Sequence, residues 1–185
     1  MPKIILGSGS PRRRDLLTGA GYTFEVRVPD VDETPPEGMR VEEVPEYLAR
    51  KKAAAISESN AIIIAADTVV LLDGQILGKP ADAEDAVRML QQLSGRTHTV
   101  VSGVCIRRED QTDSFSTSTD VVFRPLTDEQ IRYYVAEFKP LDKAGSYAIQ
   151  EWIGFVGIEG IRGDYYNVMG LPIGEVALRL EAAKN

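Results

Sequence analysis

Short apolar runs separated by turn residues organise the first half of the chain. Ile4 to Leu6 reads as a short buried strand, Ser8 to Ser10 turn the chain, and Pro11 opens a helix that runs to about Gly19. Ser10 as N-cap and Pro11 at the first helical position are the expected start signals. Thr23 to Val28 alternates as a strand, Pro29 to Met39 is a proline-rich acidic loop, and a helix follows from about Val44 to Ser59. Ala61 to Leu72, rich in Ile and Val, predicts a central strand; Asp73-Gly74 is a hairpin turn leading to a short return over Gln75 to Leu77. Asp82 caps a helix to about Leu93 that Ser94-Gly95 stops. Strands over Thr97 to Arg107 and Ser114 to Phe123 flank a polar turn, Glu109 to Asp113, and Thr127 with Gln130 begins a helix through a capping box. From Pro140 onward glycines punctuate short strand-like pieces until Pro172 or Ile173 starts a C-terminal helix. Alternating and hairpin orders together predict an α/β or α+β mixed sheet with flanking helices, not a pure Rossmann wind.

Length and charge narrow the classes. A chain of 185 residues is expected to fold as one domain over 1–185 with a sizeable core. The formal charge of −7 argues against a sequence-independent grip on nucleic acid, although a local basic pocket still suits a small anion. The single cysteine, Cys105, sits in a strand-like run and reads as an apolar filler. No run reaches membrane-spanning length and the opening apolar stretch is too short for a signal peptide, so the expectation is a soluble cytosolic protein without a membrane partner. Dinucleotide and P-loop fingerprints are absent; Gly78-Lys79-Pro80 lacks the rest of a P-loop.

The candidate chemistry begins at Ser8-Gly9-Ser10-Pro11-Arg12-Arg13-Arg14, where a strand end spills into a helix N-terminus. Free N–H groups and adjacent arginines make such a turn an anion site, and cations in a first helical turn oppose the dipole unless an anion compensates them. The plainer alternative is a capped helix with surface arginines. Asp67 interrupts a run that should be buried, so it needs a cation as partner; it is either a general base or metal ligand, or half of an internal salt bridge. Lys52 shares the apolar stripe of Val44, Leu48 and Ala55, so it points inward, to snorkel or to reach a phosphate. Glu33, beside Asp30 and Asp32, is either a hard-metal ligand or part of a solvated loop. His98, the only histidine, suits a strand-edge structural role, leaving a histidine triad without material. Lys79 lies rigidly between Gly78 and Pro80, and Gln150 follows the turn Lys143-Ala144-Gly145-Ser146-Tyr147, a composition suited to a base edge but common in connections.

Together these blocks resemble the Maf family of nucleoside triphosphate pyrophosphatases: Ser8-x-Ser10-Pro11-Arg12-Arg13, Lys52, Ala66-Asp67-Thr68, Gly78-Lys79-Pro80, Ser94-Gly95-x-Thr97-His98, Asp142 to Gln150 and Gly163 to Pro172. The resemblance runs nearly end to end. It implies a mixed twisted α/β sheet similar to the inosine triphosphate pyrophosphatase group, a homodimer, and an active site in a cleft flanked by the N-terminal turn. By similarity, Asp67 is the proton acceptor that activates water, and Ser8, Arg12, Arg13, Lys52 and Lys79 hold the triphosphate. Glu33 with Asp67 would hold a divalent cation, Mg²⁺ or Mn²⁺. Arg12, Thr68 and Gln150 match the branch acting on dTTP and UTP. A 7-methyl-GTP pyrophosphatase with the same machinery and a non-catalytic nucleotide-sensing regulator of cell division are the alternatives.

Overall fold

The computed structural model describes residues 2–184. The elements are β1 (Lys3–Leu6), α1 (Pro11–Gly19), β2 (Glu25–Val26), α2 (Val44–Ala54), β3 (Ala61–Leu72), β4 (Gln75–Leu77), α3 (Ala83–Leu93), β5 (Thr97–Arg108), β6 (Gln111–Phe123), α4 (Asp128–Phe138), a single 3-10 turn (Ala144–Ser146), α5 (Trp152–Gly157), β7 (Ile158–Arg162), α6 (Tyr165–Met169) and α7 (Ile173–Lys184). The strands form a seven-stranded sheet in the order β2-β1-β3-β5-β6-β7, with β4 paired to β3. It is mixed: β1 runs parallel to β2 and β3, whereas β4 and β7 pair antiparallel with β3 and β6. The fold is thus the mixed twisted α/β sheet with flanking helices that the pattern predicts. The chain divides into two compact units, one of Met1–Thr68, Ser102–Thr117 and Gly170–Asn185, the other of Val69–Val101 and Ser118–Met169.

In the first unit, the two-residue period of the strands decides which helix each side chain meets. Ile4, Leu6, Ile62, Ile64, Ala66, Val104 and Ile106 share one core with Leu17 of α1 and with Val176 and Leu180 of α7. The odd-numbered neighbours Ile5, Ala61, Ile63, Ala65 and Cys105 share the other core with Ala49 and Ala53 of α2. The α2 backbone lies so close to β5 that a Cβ on Gly103 would stand 2.1 Å from the Glu46 nitrogen. Burial holds the Cys105 thiol up at about 11, which leaves it the inert filler expected.

The second unit has its own core, in which Leu90 and Leu93 of α3, Ile131 and Tyr134 of α4, and Ile149 and Ile153 meet Val70, Val100, Val121 and Phe123 of the strands. Its helices carry the predicted caps: Asp82 accepts the Asp85 N–H at 2.8 Å, and Thr127 and Gln130 form the reciprocal box. His98 is buried in β5, stacks on Phe123 and shares a 2.6 Å hydrogen bond through Nε2 with the Tyr147 hydroxyl. Burial pulls its pKa down to about 4, so it is neutral near pH 7 and structural, inside the sheet instead of at its rim.

Several boundaries differ from the pattern for identifiable reasons. The strand expected over Thr23 to Val28 shrinks to Glu25–Val26, because the four-residue β1 offers partners only to Glu25 and Val26. The helix expected to reach Ser59 stops at Ala54, since Ile56 leaves the helical path to bury its side chain and Asn60 turns with a φ of 55°. Ala55 is consequently exposed, and Ala49 and Ala53 complete the buried stripe instead. The β5–β6 turn tightens to Glu109 and Asp110, with Glu109 at φ 53°, so both strands run longer than expected. The glycine-punctuated stretch after Pro140 holds one strand and two short helices; at Gly154 a Cβ would stand 1.7 Å from the Ile149 carbonyl oxygen, a closeness that only glycine allows.

Two predictions follow from this packing. Gly103→Ala must push α2 off β5, and thermal unfolding should show a loss of about 3 kcal/mol, or about 6–12 °C in Tm. Because the folded-state pKa of His98 is depressed, its contribution is complete above the unfolded value near 6.5 and fades as pH falls towards about 4. Urea unfolding at pH 7 and pH 5 should therefore show the wild type losing about 2 kcal/mol more than His98→Gln does.

Candidate active site

The parity of β3 turns Asp67 towards α2 and its neighbours Ala66 and Thr68 towards α1. Lys52, one turn beyond the buried Leu48 on α2, reaches across and donates to Asp67 Oδ1 at 2.8 Å. Its ammonium also lies 3.0 Å from Glu33 Oε1 in the acidic loop. Both members of the inner pair are largely buried, with side chains 12% and 15% exposed, whereas Glu33 is 59% exposed. A carboxylate in that setting costs several kcal/mol unless a cation meets it, and Lys52 is that cation. Asp67 Oδ2 makes no hydrogen bond among the described residues, so one oxygen is held and the other is free to take a proton. Asp32 extends the arrangement, 3.9 Å from Lys51.

On the opposite face stands the N-terminal turn. Gly7 stays on the sheet through its N–H to the Ile64 carbonyl at 2.7 Å. Ser10 occupies the N-cap of α1 in extended conformation, but its side chain makes no capping bond and the first turn contains no acidic residue. The uncapped positive end of the helix therefore coincides with three arginines. Arg14 is exposed and Arg12 half-buried, but Arg13 is buried. Its Nε donates to the Gly170 carbonyl at 2.8 Å, its Nη1 to Ser8 Oγ and to the Ala66 carbonyl, both at 2.9 Å, and its Nη2 to Thr68 Oγ1 at 3.0 Å. Four of five N–H groups are spent inside the protein, which leaves Arg13 at most one for the phosphate role that the family resemblance implies for it. Burial draws its pKa down to about 10, with Asp67 opposing the shift, so it remains a cation at neutral pH.

Ser8 shows what that arrangement accomplishes. Its Oγ accepts from Arg13 and, at 3.3 Å, from the Ser10 N–H. With both lone pairs occupied, the hydroxyl keeps its proton for donation to a further acceptor. An anion at the helix end is its natural acceptor.

The second unit holds Lys79 and Gln150. Lys79 is exposed and makes no ion pair among the described residues. The preceding carbonyl, of Gly78, accepts the Gly145 N–H at 3.1 Å, and Gly145 packs on Val70 with a φ of 69° that glycine tolerates. The residues around Gln150 in the chain are tied down: the Tyr134 hydroxyl donates to Glu151 and accepts the Ala148 N–H at 3.1 Å, while Lys143 bridges Asp142 and Glu151. Gln150 Oε1 is itself buried with no hydrogen-bond partner, an acceptor short of a donor.

One functional candidate escaped the sequence reading. Ser102 is fully buried, and its Oγ lies 2.8 Å from Thr68 Oγ1. The signal was present, since Ser102 interrupts Val100-Val101 and Val104-Cys105-Ile106 as Asp67 interrupts its own apolar run.

No group of three or more His, Cys, Asp or Glu side chains that could hold a metal ion occurs among the described residues. The carboxylates of Glu33 and Asp67 nevertheless converge on one point, now filled by the Lys52 ammonium. Two carboxylates completed by substrate phosphates form a donor set that suits Mg²⁺, which seldom uses an all-protein cage.

The chain is 52% identical to the dTTP/UTP pyrophosphatase of Phocaeicola vulgatus over 92% of its own length and 91% of that protein's. It is 53% identical to the dTTP/UTP pyrophosphatase of Porphyromonas gingivalis, over 92% and 89%, and 49% identical to that of Bacteroides thetaiotaomicron, over 92% and 91%. Among solved structures, a HAM1 protein from Coxiella burnetii aligns with a TM-score of 0.45 at 16% identity, over 66% of this chain and 73% of that one. The family described as Maf-like protein matches residues 3–183, nearly the whole chain, and the chain belongs to the Maf family.

Proposed function

We propose that this protein hydrolyses dTTP and UTP between the α and β phosphates, releasing nucleoside monophosphate and pyrophosphate. The observation that carries this reading is the half-held carboxylate: Asp67 with one oxygen on Lys52 and the other free, on a strand whose neighbours are tied to the uncapped end of α1. Relatives about half identical over nine-tenths of the chain, named dTTP/UTP pyrophosphatases, support the same substrates.

In this mechanism Ser8, Arg12 and Lys52, with the last N–H of Arg13, meet phosphate oxygens, and Asp67 orients a water and takes its proton through Oδ2. The water oxygen bonds to the α phosphorus, the bond from that phosphorus to the α–β bridging oxygen breaks, and pyrophosphate departs with the bonding pair. The cations offset the charge that grows on the leaving group. A divalent cation, Mg²⁺ or Mn²⁺, would be held by Glu33 and Asp67 together with the substrate's own phosphate oxygens, and would supply further neutralisation of phosphate charge.

Lys79 and Gln150 enter the proposal on their own chemistry. An exposed lysine without an ion pair suits a phosphate. The unpartnered Gln150 Oε1 suits the ring N3–H that uracil and thymine share and cytosine lacks. A homodimer in the cytosol is the assembly and location that the family resemblance implies; among the described residues no helix is long and apolar enough to cross a membrane.

Assayed against a panel of dNTPs, NTPs and 7-methyl-GTP with Mg²⁺ or Mn²⁺, the protein should turn over dTTP and UTP fastest and yield pyrophosphate, not orthophosphate. Leading turnover of 7-methyl-GTP, or orthophosphate as product, contradicts the reading. Asp67→Asn should lower kcat by about 100-fold or more with the melting curve intact, and a near-wild-type rate removes Asp67 from the mechanism. Gln150→Leu should cut the preference for UTP over CTP, measured as a ratio of kcat/KM values, by about tenfold.

A further inference from the structure

We propose that Ser102 is a positioning residue for Asp67, acting through the Thr68 hydroxyl and the Arg13 guanidinium. The inference rests on the reading of Asp67 as the proton acceptor and adds residues to which that reading gives no task.

Lys52 fixes Asp67 from the α2 side. What fixes the same stretch of β3 from the other side is a buried polar cluster inside an otherwise apolar core. Arg13 donates to the Ala66 carbonyl and to Thr68 Oγ1, so one guanidinium grips both neighbours of Asp67 in the chain. The same guanidinium holds the Gly170 carbonyl through Nε, and Thr68 Oγ1 faces that carbonyl at 3.3 Å. Gly170 has a φ of 117° and brings its backbone to within about 4 Å of both groups, a Cβ there standing 3.7 Å from Arg13 Nε and 3.8 Å from Thr68 Oγ1.

A threonine hydroxyl has one proton and two acceptor sites. Arg13 occupies one acceptor site; the contact with Ser102 Oγ is made by the Thr68 proton or by the Ser102 proton entering the second acceptor site, and in the second case the Thr68 proton goes to the Gly170 carbonyl. At 2.8 Å the Ser102 contact is the shorter. A chain of hydrogen bonds thus runs Ser102, Thr68, Arg13, Ala66, and the strand β5 that carries Ser102 also seats α2 through the neighbouring Gly103. Side-chain parity sends residue 102 to the Arg13 face and residue 103 to the Lys52 face, so adjacent residues of one strand brace Asp67 from both sides. Catalytic geometry loses rate steeply when a group drifts by about 1 Å, which is why a bond two contacts away from the carboxylate matters.

The same inference gives Thr68 an indirect role. Its hydroxyl is engaged by Arg13, Ser102 and Gly170, so its influence on the reaction runs through backbone placement.

The test uses Ser102→Ala, Thr68→Val, their double variant and Thr68→Ser, with kcat and KM for dTTP, thermal unfolding, and hydrogen exchange of the Thr68 amide. Loss of the part-buried hydrogen bond to Thr68 predicts that Ser102→Ala lowers kcat by about tenfold with KM within about twofold. Thr68→Val should lose at least as much, the double variant no more than Thr68→Val alone, and Thr68→Ser, which keeps the hydroxyl, should stay within about twofold of wild type. Multiplicative losses in the double variant, or a Ser102→Ala enzyme with wild-type kcat, overturn the proposal while leaving the pyrophosphatase reading intact if Asp67→Asn is inactive. The exchange measurement decides independently of turnover: the Thr68 amide should exchange about tenfold faster in Ser102→Ala. Unchanged exchange defeats the positioning role even if no nucleotide proves to be a substrate.

Discussion

The contact on which the site depends is the Lys52 ammonium between two carboxylates, 2.8 Å from Asp67 and 3.0 Å from Glu33. A carboxylate in the middle of an isoleucine-rich strand would otherwise destabilise the strand. The pair reconciles two requirements: the Asp67 carboxylate meets a cation in a largely buried place, and only one of its oxygens is consumed in that contact. Removing Lys52 would leave Asp67 as an uncompensated buried charge, whereas removing the Asp67 charge leaves Lys52 paired with Glu33.

The geometry behind that contact is elementary. Strand side chains alternate, so the apolar sequence that buries Ile62, Ile64 and Ala66 against α1 and α7 necessarily sends Ile63, Ala65 and Asp67 towards α2. Gly103 then lets α2 approach closely enough for Lys52 to arrive, and on the other face Arg13 spends its donors on Ser8, Ala66, Thr68 and Gly170. The outcome is a division of labour among adjacent arginines. Arg13 serves mainly as scaffold, with four of its five N–H groups held inside the protein, Arg12 stands half-buried beside it, and the first turn of α1 carries no acidic side chain.

Much of this is legible in the sequence, and the parts that are not share a cause. The interrupted run around Asp67 and the helical position of Lys52 announce a buried pair because each is a local violation of an apolar pattern. Caps at Asp82 and Thr127 and the Asp73-Gly74 hairpin are likewise local, and the structure has them. The early end of α2, the shortness of β2 and the two small helices after Pro140 depend on contacts between distant segments, such as Ile56 under Gly7 or Gly154 against Ile149. Arg13 is the clearest case: three consecutive arginines look alike in sequence, and only the tertiary acceptors at Ala66, Thr68 and Gly170 separate the buried one from its neighbours. Ser102 could have been noticed by the rule that found Asp67, but a neutral hydroxyl in a strand raises less alarm than a charge does.

The central claim is that water activated at Asp67 attacks the α phosphorus. Hydrolysis of dTTP in ¹⁸O-labelled water, with both products analysed by mass spectrometry after a single turnover, tests it most directly. The account predicts one ¹⁸O in the nucleoside monophosphate and none in the pyrophosphate. Label in the pyrophosphate would place the attack on the β phosphorus and contradict the account.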